Sequence, residues 1–352
     1  MGFRWAGVNI VGYVELADSA RAIYRENFPE TKRLGENIRE ISDAEIVNWT
    51  REFGRINILF GGPPCQGFSL AGKRDKHDPR NELYKEFVRA ANVLKPDVIL
   101  MENVRLITSM KAPDHSPITE HILRDFDEAG YRCKFQTVNA QDYGVPQFRE
   151  RVFFIGIRKD FSEKAVVFPE KTHGIGGDRP LFGKTLKKYA TFRDATFDLE
   201  NLESGEMSYD RWHFAVKHPN HVIQMLKDVP EGGSAHDNPN PGLRPTSGYN
   251  TTYKRLIWDE PCSTISTNFG MISGSRNVHP SSTRSLTIRE ALRCQSFPDT
   301  FKLRGTLGEI RTAIGNAVPP LLAKALAEHL IDNYFTSRIK TEEVYKSSLP
   351  VG

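Results

Sequence analysis

The chain has 352 residues, 39% hydrophobic and 26% charged, with a formal net charge of +4. It is long enough to bury a full core, and too weakly basic for charge alone to argue a nucleic-acid partner. Its four cysteines, Cys65, Cys133, Cys262 and Cys294, are scattered, which fits neither a structural zinc site nor a disulfide framework. No apolar run approaches the roughly 18 residues of a membrane span. With no signal-peptide pattern in view, a reducing cytoplasm is the expected compartment.

In chain order, "VNIVGYVEL" (8–16) reads as a strand ending at Glu15, and Asp18 as the cap of a helix carrying Ala20, Ile23, Tyr24 and Phe28 on its apolar side. "INILFGG" (56–62) is a buried strand running into glycines. A helix over 81–94 presents Leu83, Phe87, Val88, Ala91 and Leu94, "KPD" stops it, and "VILMENV" (98–104) is the next strand. Ser116 and Pro117 open a helix with Ile118, Ile122, Leu123 and Phe126 inward and Gly130 as its stop. "YRCKFQTV" and "RVFFIGI" (151–157) are two further strands.

Strands alternating with helices predict a doubly wound α/β domain, in which ligands sit at the carboxyl ends of the strands. Glu15, Cys65 and Glu102 each fall at or just past such an end. From about 160 to 285 the texture changes: Pro, Gly, Asn and Ser are frequent and helical periodicity fades. "EGGSAHDNPNPGLRPTSGYN" (231–250) is loop, and so is the glycine cluster "THGIGGDRP" (172–180). Thr287 and Glu290 form a capping-box pattern for a helix ended by Pro298. "GNAVPPLLAKALAEHLIDNYF" (315–335) reads as a turn and an amphipathic helix with Leu322, Ala325, Leu326, His329 and Leu330, followed by a loose tail. There is no internal repeat.

Cys65 is the one strongly framed thiol, in "GGPPCQGFS" (61–69). A thiolate is the nucleophilic form, and turns near helix starts favour it. Pro63 and Pro64 fix the backbone, while Gly61, Gly62 and Gly67 allow a ligand close approach. An inert core cysteine needs none of this.

"GPPCQGFS", "MENV", "QDYGVPQFRERVFFIG", "RSLTIREALRCQSFPD" and "IGNAVPPLLAKAL" occur in one order across most of the chain. Together they resemble the DNA (cytosine-5) methyltransferase family. The resemblance implies a Rossmann-like, S-adenosylmethionine-dependent methyltransferase domain with a smaller, irregular target-recognition domain. The expected boundaries are 1–178 for the catalytic and cofactor-binding part, 179–285 for target recognition, 286–335 for a hinge and returning helix, and 336–352 for the tail. It implies that Cys65 attacks C6 of a flipped cytosine in duplex DNA, with Glu102 as the acid at N3, Arg151 at O2 and Arg149 setting the catalytic loop. Gln66 and Ser69 would meet DNA, and so would Lys73, Arg74 and Lys76 from a mobile loop over 70–84. Glu15, Leu16, Asn37, Ile38, Pro64, Leu83, Asn316 and Ala317 would contact S-adenosylmethionine. At Asn37 the family often has an aspartate.

The family also has a first strand and an F-x-G-x-G-G loop ahead of the segment here reading "GFRWAG", and residues 1–352 contain neither. The expectation is that upstream sequence or a second chain supplies them, or that cofactor binding has been lost. Three functions stay open: a DNA cytosine-5 methyltransferase, most naturally with a cognate restriction endonuclease; an RNA cytosine-5 methyltransferase; and a catalytically dead or split-subunit DNA-binding relative. "PPCQGFS" in place of the tRNA-directed "PPCQPFT" favours DNA. The intact Cys65, Glu102, Arg149 and Arg151 set favours an enzyme.

Overall fold

The computed structural model describes residues 1–64, 83–176, 185–274 and 276–336. A short helix α1 (Gly2–Trp5) leads to β1 (Gly12–Val14), α2 (Asp18–Asn27), β2 (Lys32–Gly35), α3 (Asp43–Phe53) and β3 (Ile58–Gly61). Then come α4 (Leu83–Leu94), β4 (Val98–Val104), α5 (Ile118–Glu128), β5 (Tyr131–Asn139) and β6 (Glu150–Arg158). Strands β3, β4, β6 and β5 form one mixed sheet in that order, with β3 and β4 parallel and the other two pairings antiparallel.

Strand β4 is apolar on both faces because both faces are covered. Val98 and Leu100 pack with Phe153, Ile155, Phe3 of α1 and the C-terminal helix. Ile99 and Met101 face the other way, onto Tyr84 of α4 and Ile122 and Phe126 of α5. This two-sided burial is the doubly wound arrangement that the strand–helix alternation predicts.

The remaining two strands, β1 and β2, pair parallel as a separate sheet. Among the described residues no ladder joins β1 to β3, so each has one unpaired edge. Both are half-exposed, and Phe60 of β3 is 41% exposed while stacking on Phe3 at 4.1 Å. The halves are still held together: Ile10 and Ile58 pack in one apolar cluster, Val14 and Leu59 in another. The strand expected over 8–16 shrinks to Gly12–Val14, since only β2 offers it a ladder. Helix α2 is capped by Ala17, with Asp18 its first residue rather than its cap.

After β6 regular structure thins to β7 (His173–Gly174), β8 (Lys187–Lys188), α6 (Phe192–Thr196) and α7 (Asn220–Lys227). Buried main-chain carbonyls there must find donors elsewhere, and buried arginines provide them. Arg255 donates to the carbonyls of Leu226 (2.8 Å), His279 (2.9 Å) and Ser282 (2.7 Å). Arg284 donates to Leu202 O (2.6 Å) and grips both carboxylate oxygens of Glu290 at 2.8 Å.

Glu290 opens α8 (Ile288–Cys294), where the capping box with Thr287 forms as its pattern predicts. That helix stops at Cys294, before Pro298, as Ser296 turns to a left-handed φ of 64°. Helices α9 (Leu307–Asn316) and α10 (Pro320–Leu330) complete the fold, and α10 packs back on α1 and the sheet.

Burial raises and Arg284 lowers the Glu290 carboxyl, and the net is a fall from an ordinary 4.5 to about 2. Burial also pushes the neighbouring His279 imidazole down from 6.5 to about 3. In both cases the unfolded chain binds more protons, so this stability is present above the ordinary pKa values and is lost as pH falls toward 3 and 2. Urea denaturation followed against pH should show that loss. Arg284→Met, leaving a buried carboxylate unpaired, should cost about 3–5 kcal/mol at neutral pH and remove Glu290's part of the acid slope. An unchanged slope would rule the pair out as its source.

Candidate active site

Glu102 stands near the carboxyl end of β4. In the antiparallel register Val104 faces Arg151 and Glu102 faces Phe153, so Arg151 is diagonal to Glu102 on one face. Its Nε lies 3.1 Å from Glu102 Oε1, and both side chains are largely buried. The turn after β3 crosses directly above: a Cβ on Gly62 would come within 2.9 Å of Glu102 Oε2, so only glycine passes without displacing the carboxylate. Asn103 Nδ2 donates to Pro63 O at 3.0 Å and fixes this turn on the strand end. Burial raises the Glu102 carboxyl above its ordinary value, and Arg151 and then Arg149 pull it back only in part. The arrangement yields a carboxylic acid that keeps its proton to higher pH than a surface glutamate does.

Alternation along "QFRERVFF" places Arg149 and Arg151 on one face, and both act on Glu102, Arg151 by direct contact and Arg149 by its charge alone. Arg149 is fully buried. Its guanidinium donates to Ile265 O (3.1 Å), Gly315 O (2.7 Å) and Ala317 O (3.0 Å), and so ties the start of β6 to two distant segments. Gly315 is packed so closely that a Cβ would sit 2.4 Å from Thr267 N.

Beyond β1, Glu15 Oε1 accepts Ala17 N–H at 2.8 Å. Leu16 is 68% exposed. Asn37 caps a 3₁₀ turn (Ile38–Glu40), accepting from Arg39 N–H at 3.2 Å and donating to Glu40 at 2.9 Å. Arg21, which sequence reasoning missed, links the two loops: it donates to Glu15 O (2.9 Å) and lies 3.3 Å from Glu36. Its signal was its place on the first turn of α2, over the end of β1. Ile38 shares an apolar cluster with Val14 and Leu59. Pro64 and Asn316 are exposed, and Leu83 and Ala317 half-buried. Cys65, Gln66, Ser69, Lys73, Arg74 and Lys76 lie outside the described residues.

The structure therefore forms two groups. One holds Glu102, Arg151, Arg149, the Gly62–Pro64 turn and the Gly315–Ala317 turn; the other holds Glu15, Leu16, Asn37 and Ile38. An acid after β1 and a capped loop after β2 fit the hydroxyl groups and base of a nucleoside. No group of three or more His, Cys, Asp or Glu side chains suited to a metal occurs among the described residues, and no helix there is long and apolar enough to cross a membrane.

Residues 1–332 match the family described as C-5 cytosine-specific DNA methylase. Type II methyltransferase M1.HphI of Haemophilus parahaemolyticus is 36% identical over 335 residues, covering 94% of this chain and 83% of that protein. Type II methyltransferase M.NgoFVII of Neisseria gonorrhoeae is 34% identical, covering 95% and 84%. Among solved structures, one described as a DNA modification methyltransferase encoded within an E. coli prophage superposes with a TM-score of 0.71 at 24% identity, covering 94% of each chain. The Entamoeba histolytica methyltransferase EhMeth gives 0.59 at 17% identity, covering 94% of this chain and 95% of that one. At these identities the structural likeness speaks for the fold, a Rossmann-like methyltransferase α/β fold, while the family match and the sequence relatives speak for the class. The chain belongs to the C-5 cytosine-specific DNA methylase family, whose activity is that of a DNA cytosine-5-methyltransferase.

Proposed function

We propose that the protein methylates C5 of cytosine within a specific duplex DNA sequence through a covalent adduct on Cys65. The observation that carries this reading is Glu102, a buried carboxyl of raised pKa, paired with Arg151 beneath the turn that leads into Cys65. Cytosine is a weak electrophile, so a thiolate adding at C6 needs a proton or hydrogen bond delivered to N3. A carboxylic acid held protonated by burial does this. Arg151 orients that acid and meets O2 of the base. With N3 protonated, the electron pair displaced by the Cys65–C6 bond makes C5 nucleophilic. S-adenosylmethionine, when bound, supplies the methyl group that C5 takes. Loss of the C5 proton then re-forms the ring double bond and expels the Cys65 thiolate, and the N3 proton returns to Glu102.

The reacting edge is inaccessible in a stacked duplex, so the base is flipped out. Residues 179–285 read the DNA sequence, while 1–178 and 286–335 carry the catalytic and cofactor parts. Gln66 and Ser69 meet the DNA, and Lys73, Arg74 and Lys76 meet its phosphates. Glu15, Leu16, Asn37 and Ile38 hold the nucleoside end of the methyl donor, with Pro64, Leu83, Asn316 and Ala317 beside its reactive end. The relatives' Type II designation supports a restriction-modification setting with a cognate endonuclease.

The edges of β1 and β3 that no described residue pairs support one further element of this reading. A further strand pairing between them would close the sheet and complete the cofactor site. In residues 1–352 alone, amides on those two edges should exchange hydrogen at loop-like rates while β4 stays protected. Protected edges would mean that the sheet is already closed.

The Cys65 step can be tested without the methyl donor. Reversible addition at C6 lets C5 take a proton from water and lose its own on elimination. Duplex DNA tritiated at cytosine C5 should therefore release tritium to solvent with the native chain and none with Cys65→Ala. Glu102→Gln should slow release roughly 10²- to 10⁴-fold. Release that persists with Cys65→Ala would contradict the covalent reading.

A further inference from the structure

A closed ring of hydrogen bonds lies beside the active site, built largely from side chains that the chemistry above does not use. Gln147 Nε2 donates to Gln295 Oε1 at 3.1 Å, and Gln295 Nε2 donates to Ile314 O at 2.7 Å. One peptide further on, Gly315 O accepts from Arg149 at 2.7 Å. Arg149 also donates to Ile265 O at 3.1 Å, and Ile265 N–H returns to Gln147 Oε1 at 2.8 Å. The second N–H of Gln147 goes to Cys294 O at 3.3 Å. Gln147, Arg149, Ile265 and Gln295 are all fully buried.

We propose that Gln147 and Gln295 are positioning residues of the methyl-transfer site: they lock the Arg149 guanidinium onto the Ile265 and Gly315 carbonyls and so hold its charge beside Arg151 and Glu102. Two features argue for more than packing. First, Arg149 sits near a like charge, Arg151, and out of water, and both disfavour its cationic form. A buried guanidinium stays there only if its acceptors stay in place, and the two glutamines fix the carbonyls it uses. Second, each amide has one workable sense. Turning Gln147 over would set its oxygen against Cys294 O and its nitrogen against Ile265 N–H, so the ring allows one arrangement. It joins the start of β6, the end of α8, the end of α9 and the 262–265 segment, and so links the DNA-reading region to the acid.

The functional consequence falls on Glu102, and this inference rests on the reading that Glu102 is the acid of the site. The charged groups that act on it are Arg151 of β6 and Arg149 just before that strand. Among the described residues the turn crossing from β3 presents Gly62, Pro63 and Pro64, none of them charged. If the ring opens, Arg149 is free to move away from Arg151. Glu102 then keeps one cation instead of two and holds its proton to higher pH.

The test is a ¹³C NMR titration of the Glu102 carboxyl in the full 352-residue chain, native and Gln295→Met. Gln295 makes no hydrogen bond to Arg149, Arg151 or Glu102, and methionine keeps its volume. The Glu102 midpoint should rise by roughly half to one on the pH scale. A folded variant with an unchanged midpoint overturns the proposal. Gln295→Asn, which keeps an amide but falls short of Ile314, should show the same rise and serves if the methionine variant does not fold. Combining Gln147→Met with Gln295→Met should move the midpoint no further than the larger single change, because a ring opens once. Additive shifts would show two independent contacts and overturn the ring. The titration needs neither DNA nor methyl donor, so failure of methyl transfer and failure of this inference are read separately.

Discussion

The site depends on a carboxyl group held inside a sheet with one guanidinium touching it. Taking Glu102 out of water favours its neutral form, and a cation at 3.1 Å favours its ionised form. The first effect wins, and the result is an acid that keeps its proton to higher pH than an ordinary glutamate. Both terms follow from strand geometry. β4 is covered on both faces, and the antiparallel partner β6 sets Arg151 on the diagonal of the same face. Chain crossing matters as much as pairing, because Gly62 and the Asn103 contact place the approach to Cys65 directly over that carboxyl.

Around this pair the protein uses arginine as a connector. Arg149, Arg255 and Arg284 each place a buried guanidinium on main-chain carbonyls from distant segments. A region poor in helix and strand has carbonyls that no ladder satisfies, and a guanidinium with five donors can take several at once. This is how a region poor in helix and strand is tied to the sheet that carries Glu102 and to the helices beside it. The Glu290 carboxylate beneath Arg284 ties the same region to the start of α8.

Much of the sheet was legible in the sequence. β4 matches its apolar run residue for residue, β5 and β6 match within a residue or two, and the Thr287–Glu290 capping box forms as its spacing indicates. The position of Glu102 was legible too, near the end of an apolar strand and next to an asparagine. Helix α3 was missed although Ser42 and Glu45 cap it in the same way, and β2 was missed because "KRLG" is short and charged. Helix α9 was hidden by the glycine near its end, where the close approach of Thr267 fixes the residue type. The partners of Arg149 lie 116, 166 and 168 residues away in sequence, and no local pattern announces them. Periodicity reports which face is buried; it does not report which distant carbonyl a buried charge will meet.

The most direct measurement is the position of a transferred methyl group. Duplex DNA incubated with the protein and S-adenosylmethionine carrying a labelled methyl, then digested to nucleosides, should yield label in 5-methyldeoxycytidine and in no other nucleoside. Label on the exocyclic nitrogen of cytosine or on adenine would contradict the account, because neither the Cys65 adduct nor the acid at Glu102 would then have a role, and transfer to RNA with none to duplex DNA would contradict its substrate.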